Sequence, residues 1–378
     1  VDNSKKEIVF INQNSGYLMV DIINAHDNLL SRKILMTGSL VNKNGKQGKF
    51  LVKQIKKYNR SSTLKRLYSW VLAFVQILWQ VKLHHRRSYL FIVSNPPFAP
   101  LLSLFCSNNF SLLIYDIYPD VLVEYGIFGK KSLVIKIWEK LNTRLYKKAD
   151  KVYTISEGMK RRIGKYIPDG KIDVVPLWAN EGQLKPILKE NNKFIKANGL
   201  EDKFIVLYSG NLGRTHDLET LIYAAEKIKR DDILFLIIGG GDKKSKLQEM
   251  IRDNEISNVI MKPWQPIEML PYTLNSADLG VVTLGSGASG LSLPSKTFNY
   301  ISVGVPLLCI AEKTSELAKL VQNYEVGGTF RPDEIDEIIE FILAYADNKE
   351  QYNTVRDNVY KASRDFSKEN AKKFVHYL

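Results

Sequence analysis

Two doubly wound α/β domains in series are what this sequence predicts, and three observations predict them. Short β-branched runs alternate with helical stretches from one end to the other, a pattern that builds parallel sheets flanked by helices. At 378 residues the chain is too long for one comfortable core and suits two domains of under about 200 residues each. Its 45% hydrophobic and 25% charged content is that of a folded globular protein, far from disordered or collagen-like compositions.

In the first half, strands are expected at EIVFIN (7–12), KILMTG (33–38), YLFIVS (89–94), SLLIYDIYP (111–119) and DKVYTIS (150–156). A helix is expected around 17–30 and a long basic helix at 60–87. Pro96 and Pro97 suit the first turn of the next helix, where their missing N–H groups would be unpaired anyway. The run KIDVVPLWAN (171–180) ends this sheet, and the polar stretch 181–203 leads into the second domain. There the strands are KFIVLYSG (203–210), ILFLIIGGG (233–241), NVIMKPW (258–264), ADLGVVTL (277–284) and VPLLCIA (305–311), with helices between them. The expected division is 1–180, 181–345 and a helical tail, 346–378, that crosses back to the first domain. Ligands of such sheets bind where strand ends meet helix starts, so the cleft between the domains is the expected site.

Charge is unevenly shared. Residues 1–178 carry 29 Lys+Arg against 12 Asp+Glu, a net of +17, whereas residues 179–378 carry a net of −3. A basic excess confined to one half points to an anionic partner, such as a phospholipid surface, a pyrophosphate-bearing acceptor or nucleic acid, unless it only solubilises the surface. Cys106 and Cys309 both lie in apolar runs and read as small core residues with no disulfide or metal framework. The leading VDNSKKEIVFINQ shows no signal-peptide pattern, which sets the expectation of a cytoplasmic protein. Leu67 to Val81 is apolar except for Ser69, Gln76 and Gln80, and has basic flanks. It falls short of the about 20 residues a membrane span needs. Such a helix is either buried on nearly all sides or lies in the interfacial layer of a membrane, anchored by Trp70, Trp79 and its basic ends.

Two segments carry the chemistry. In YSGNLGRTHDLETL (208–221) a strand ends at Tyr208, Gly210 and Gly213 allow close backbone approach, and a helix begins near Asp217, read as its N-cap. That arrangement aims amides and the positive end of a helix at an anion, and Arg214 adds a bidentate fork. In LSLPSKTFNYISVGVP (291–306), Pro294 and Ser295 start a helix with Lys296 in its first turn. The three glycines of GSGASG (285–290) precede it. The run GGGD (239–242) lacks the third glycine of a dinucleotide fingerprint and reads as a strand-to-helix turn. His26, His84, His85, His216 and His376 show no metal-ligand spacing and read as structural or surface residues.

Together with DIYPD (116–120), YTISEGMKRRI (153–163), VVPLWAN (174–180), FLIIGGGD (235–242), NSADLGVVTL (275–284) and PSKTFNYISVGVP (294–306), these segments cover nearly the whole chain. In this order and spacing the sequence resembles the retaining GT-B glycosyltransferases of family four, most closely the branch that builds bacterial capsule, O-antigen and colanic-acid-type polysaccharides. The resemblance implies a GT-B fold, two Rossmann-like domains facing across a cleft, and no metal or other cofactor. It implies that Gly210, Asn211, Gly213, Arg214 and Lys296 hold the donor diphosphate of a nucleotide-sugar, UDP-linked by family habit. Lys262, Pro263, Trp264 and Gln265 would line the base, and the backbone around Gly290 would face the donor sugar. Gly239, Leu291, Ser295 and Asn299 complete the donor set, with Gly16 standing for a glycine-rich loop reduced to NSGY. The chain departs from the family where a pair of glutamates eight residues apart would fall on Leu291 and Asn299. The lysine that commonly follows the phosphate-loop arginine is also missing, with His216 and Asp217 nearby and Lys296 as its replacement.

Transfer through an oxocarbenium-like sugar builds negative charge on the departing diphosphate, a charge to be met by Arg214, Lys296 and the 210–213 amides. No Asp-x-Asp motif occurs, in keeping with a metal-free site. Asp116, and after it Asp120, sit where an acceptor hydroxyl should arrive, as a general base or an orienting group, or else as turn-forming residues before a helix. The expected partners are a nucleotide-sugar, a polyprenyl-diphosphate-linked saccharide acceptor and the inner face of the plasma membrane, with no nucleic acid and no obligate protein partner. Two rivals are a nucleotide-sugar epimerase on the same fold, which would need no basic acceptor face, and a nucleic-acid binder. The latter would interleave aromatics with its basic residues on an exposed groove, whereas here they flank an apolar helix.

Overall fold

The protein is described from a computed structural model, over residues 7–26, 32–41, 49–59, 61–124, 126, 128–129, 131–213, 216–285 and 293–375. The chain forms two units, a first that runs to Leu177 and is rejoined from Lys368 onward, and a second from Trp178 to Ser367.

The first unit is a seven-stranded parallel sheet in the order β5(Leu51–Gln54), β3(Arg32–Thr37), β1(Glu7–Ile11), β6(Tyr89–Val93), β7(Phe110–Ile114), β8(Lys151–Thr154), β9(Ile172–Val174). The sheet's first three strands in chain order, β1, β3 and β5, run outward to one side and the other four run the other way, so the winding reverses between β1 and β6. Strands β1, β6 and β7 are buried along almost their whole length, as a sheet covered on both faces requires. A two-stranded ribbon, β2(Asn14–Ser15) with β4(Ser39–Leu40), extends the loops at its C-terminal edge.

The helices include α1(Tyr17–Ala25), α2(Thr63–His84), α3(Asp120–Glu124), α4(Leu133–Lys148) and α5(Glu157–Ile163), with a 3-10 turn at Ala99–Leu104. That turn begins after Pro96 and Pro97, later than expected. Helix α2 is capped by Ser62, whose hydroxyl accepts from the Lys65 amide at 3.2 Å. Its inward stripe is Ser69, Ala73, Ile77 and Val81, all fully buried. Its outward face is apolar, with Leu67, Tyr68, Val71, Val75 and Trp79 exposed, Trp79 to 62%. Burial on nearly all sides is therefore excluded. The polar serine turns inward because it is satisfied there, its hydroxyl donating to the Arg66 carbonyl at 2.8 Å. Phe98 bridges Trp70 of α2 and Trp138 of α4 at ring distances of 6.2 and 5.7 Å, so α2, the 99–104 turn and α4 lie side by side. Phe105 and the α4 residues Leu133, Val134 and Ile137 are exposed in the same layer. Among the described residues no helix is long and apolar enough to cross a membrane.

The second unit is a six-stranded parallel sheet in the order β12(Val259–Lys262), β11(Ile233–Gly240), β10(Phe204–Asn211), β13(Leu279–Thr283), β14(Leu307–Ile310), β15(Gly327–Phe330). Its winding reverses between β10 and β13. Around it lie α7(Glu219–Lys227), α8(Lys244–Asp253), α10(Ser295–Ser302), α11(Glu316–Tyr324), α12(Ile335–Asp347) and α13(Lys349–Asp365). Asn348 separates α12 from α13 and caps the latter, accepting from the Gln351 amide at 3.0 Å. Helix α13 packs on α10, so closely that a Cβ on Gly304 would stand 2.4 Å from the Tyr360 ring. The helical tail expected from residue 346 is thus largely part of the second unit. Only the 3-10 segment Lys368–Phe374 packs into the first, where Phe374 is buried against Tyr153 and Phe91 at 5.0 and 6.1 Å. Cys309 is buried as expected, but Cys106 is only half-buried after the 99–104 turn.

Candidate active site

The second unit's site is built at its β10/β13 reversal, where the two strands part and leave a crevice at their C-terminal ends. Strand β10 delivers Gly210 and Asn211, β11 delivers Gly239 and Gly240, and β12 ends at Lys262, paired in register with Ile238. Glycine is required here by close approach: a Cβ on Gly239 would lie 1.9 Å from the Gly210 carbonyl oxygen. On Gly210 it would lie 2.8 Å from Lys296 Nζ. The side chain of Asn211 fills the space beside Gly213 and Gly241. Trp264, 60% exposed, sets its indole nitrogen 3.2 Å from where a Gly240 Cβ would stand. That leaves an aromatic face free beside the strand ends, next to Pro263.

Lys296 enters from the first turn of α10, next to the exposed Ser295. No side chain caps this helix, and its second residue aims an ammonium at the crevice. The Nζ is sealed from solvent, has no hydrogen-bond partner among the described residues and stands 3.8 Å from the centroid of the Tyr208 ring. Burial pulls its pKa down to about 7. The neighbouring hydroxyl of Thr297 is also buried and unpartnered. Two buried polar groups without a partner among the described residues thus stand at an uncapped helix start, where the backbone N–H groups favour negative charge. Asn299, one turn further on, is half-buried.

Lys243 makes the contrast. Its ammonium is neutralised by Glu219 at 2.7 Å, which with Lys246 pulls the Glu219 carboxyl down to about 2 although burial opposes it. Lys243 also donates to the His216 carbonyl at 2.7 Å and so fixes the loop, not a ligand. His216, read from the sequence as structural or surface, lies inside the cluster, its Nδ1 2.9 Å from Thr283 Oγ1. Burial, and then the Lys296 charge, hold its pKa below the usual range. Asp217, expected as the N-cap, lies one residue before the observed N-cap Leu218, yet its Oδ1 still accepts from the Thr220 amide in the first turn at 3.3 Å.

The structure thus brings together Gly210, Asn211, Gly213, Gly239, Lys262, Pro263, Trp264, Ser295, Lys296 and Asn299 at one edge of the second sheet. Arg214, Gly290, Leu291 and His376 lie outside the described residues. Gly16 and Asp116 belong to the first unit. Gly16 is the N-cap of α1, and a Cβ there would meet nothing nearer than 3.9 Å, so the position does not demand glycine. Asp116 follows β7 with its side chain open to solvent, while burial by the surrounding protein pushes its carboxyl up. Asp120 is engaged structurally, taking Lys165 Nζ at 2.5 Å and the Tyr166 hydroxyl at 3.0 Å. Sequence reasoning missed Tyr208, Thr283 and Thr297 as site residues; the tyrosine immediately before the SGN turn was the one visible signal.

Two doubly wound parallel sheets, each with one reversal of strand order, define an α/β protein of the GT-B type. The comparisons make the class specific: residues 190–362 match the family model described as Glycosyl transferases group 1. The protein is a glycosyltransferase with a group 1 domain. A probable glycosyltransferase WbjE of Pseudomonas aeruginosa is 27% identical over 76% of each chain. A putative colanic acid biosynthesis glycosyl transferase WcaI of Escherichia coli is 27% identical over 63% of this chain and 62% of its own. The fold matches a crystal structure of Anabaena Alr3699/HepE in complex with UDP and glucose, with a TM-score of 0.71 at 15% identity over 97% of both chains. It also matches WaaG, a glycosyltransferase involved in lipopolysaccharide biosynthesis, with a TM-score of 0.69 at 14% identity over 97% of this chain and 98% of that one.

Proposed function

We propose that the protein transfers a sugar, with retention of configuration, from a UDP-sugar to a saccharide carried on polyprenyl diphosphate. It would act in bacterial surface polysaccharide assembly, of the capsule or O-antigen kind, as a peripheral protein on the cytoplasmic face of the membrane. The observation that carries this is the sealed, unpartnered Lys296 ammonium at the uncapped start of α10.

As the glycosidic bond of the donor breaks, charge grows on the leaving diphosphate. Lys296, the first-turn amides of α10 and Arg214 would meet that charge with fixed cations and dipoles and need no metal for it. Losing one such group raises a barrier by roughly 3 kcal/mol. Trp264 offers a stacking face for the base, and Lys262 and Pro263 its walls. Asp116 would orient the acceptor hydroxyl or take its proton. The UDP complexes of the structural neighbour and the colanic acid relative support the donor and the pathway class. The exposed apolar layer of α2, Phe105 and α4, in a unit with a large basic excess, supports the membrane surface.

Thermal stability with and without UDP tests the site, since a ligand at 100 times its Kd stabilises by about 2.7 kcal/mol. Wild type should be stabilised, Lys296→Ala and Arg214→Ala should lose the response, and Asp116→Asn should keep it while transfer falls. An unchanged UDP response in Lys296→Ala overturns the donor site. Isomerisation of a UDP-sugar without acceptor would instead mark an epimerase.

A further inference from the structure

Four buried polar side-chain atoms of the first unit have no partner among the described residues, and three of them, Gln13 Oε1, Arg66 Nε and Trp70 Nε1, belong to residues around Ser69 near the start of α2. Gln13 follows β1 at the β1/β6 reversal, and its backbone N–H donates to the Asn95 carbonyl, just past β6, at 2.8 Å. Its side-chain orientation is not free. The Nε2 donates to the Lys56 and Ser69 carbonyls, both at 2.9 Å, so Oε1 must face away from them and waits for a donor. Arg66 and Trp70, both half-buried, lie one turn apart on the same flank of the buried Ser69, in the first two turns of α2. Both are donors that wait for acceptors. Trp70 stacks on Tyr58 at 5.9 Å and 16°, a flat, half-buried aromatic face. Arg66 has no carboxylate partner among the described residues. Its surroundings reinforce this: residues 28–115 contain fourteen Lys and Arg and no Asp or Glu.

We infer that Gln13, Arg66 and Trp70 form a subsite for a glycosyl phosphate, the chemistry of an acceptor's sugar-phosphate head. A sugar hydroxyl donates to Gln13 Oε1, phosphate oxygens take the Arg66 and Trp70 N–H groups, and the ring face of Trp70 and Tyr58 flanks the sugar. A water could bridge these groups but would leave the Arg66 charge unanswered, which a phosphate would not. The inference rests on the glycosyltransferase reading for its role as acceptor site, and the same chemistry has two sources, a soluble sugar phosphate or a lipid-linked one.

The test uses full-length Lys296→Ala protein, so that the donor crevice does not compete, with α-glucose 1-phosphate and farnesyl-diphosphate-linked N-acetylglucosamine as probes. At least one probe should bind, and adding Arg66→Met should weaken it tenfold or more. Trp70→Phe, which keeps the ring and removes the N–H, should weaken it severalfold with an unchanged melting temperature. Binding of both probes marks a soluble source, and binding of the second alone a lipid-linked one. Binding of neither, or binding indifferent to Arg66→Met, overturns the subsite, as does tighter binding of a single-stranded oligonucleotide. The UDP response of the wild type is read in parallel. If it persists while the probes fail, the subsite is wrong and the donor reading stands; if it fails while the probes bind through Arg66, the reverse holds.

Discussion

Sealing the Lys296 ammonium against the Tyr208 ring costs stability that only an anion returns. Its pKa, drawn down to about 7 from 10.5, gives the cost a pH signature. The unfolded chain holds this proton up to about pH 10.5 whereas the folded chain releases it near 7, so the penalty is complete below pH 7 and fades as pH rises. Lys296→Met should therefore raise the melting temperature of the ligand-free protein, more at about pH 6.5 than at about pH 9.5. An equal gain at both would show that the lysine is not buried in its charged form. Lys296 was readable in the sequence because a cation behind Pro-Ser at a helix start has a simple electrostatic meaning. Its platform was not, because cation–π contact between residues 88 positions apart leaves no local pattern. For the same reason the sequence showed Gly16 as part of a loop motif, while the open space around it reveals no steric demand for glycine.

Among the elements, the buried strands announced themselves by continuous β-branched runs, as β6 and β11 do. Edge strands did not. β5 reads LVKQ with its residues largely exposed, and β15 reads GGTF, so neither carries the periodicity that pattern reading needs. Helix α2 was legible as a helix, but which side faced the sheet was not, because the inward stripe includes a serine and the outward one is richer in apolar residues. Its outward valines give a direct test. Val71→Asp with Val75→Asp replaces side chains that are 47% and 54% exposed, so the fold should hold within about 1 kcal/mol. Binding to vesicles of anionic phospholipid, followed by co-sedimentation, should fall about tenfold or more, since each inserted apolar side chain contributes on the order of 1 kcal/mol. Equal sedimentation of variant and wild type would remove α2 from the membrane contact.

For the molecule as a whole, length and alternation sufficed to give two parallel α/β units, and the charge split fell on the boundary between them. The exact seam was hidden, because α13 has the composition of a surface helix and only its packing on α10 assigns it to the second unit. Phe374 marks the seam on the other side, 1% exposed between Phe91 and Tyr153. Phe374→Ala should cost about 3–5 kcal/mol in denaturant unfolding, as large-to-small changes in a packed core do. A loss below about 1 kcal/mol would mean that the 368–374 segment merely rests on the first unit.

This seam also orders events at the ribosome. Domains fold as they emerge, at about 5–20 residues per second, but here the unit begun first is finished by residues made after the second unit. Its sheet waits through the synthesis of Trp178–Ser367, some tens of seconds, with the Phe374 socket unfilled. The second unit, continuous in the chain, is complete before it. The nascent protein is therefore expected to grip a nucleotide before its amino-terminal half is closed, and to expose an apolar notch to chaperones for that interval.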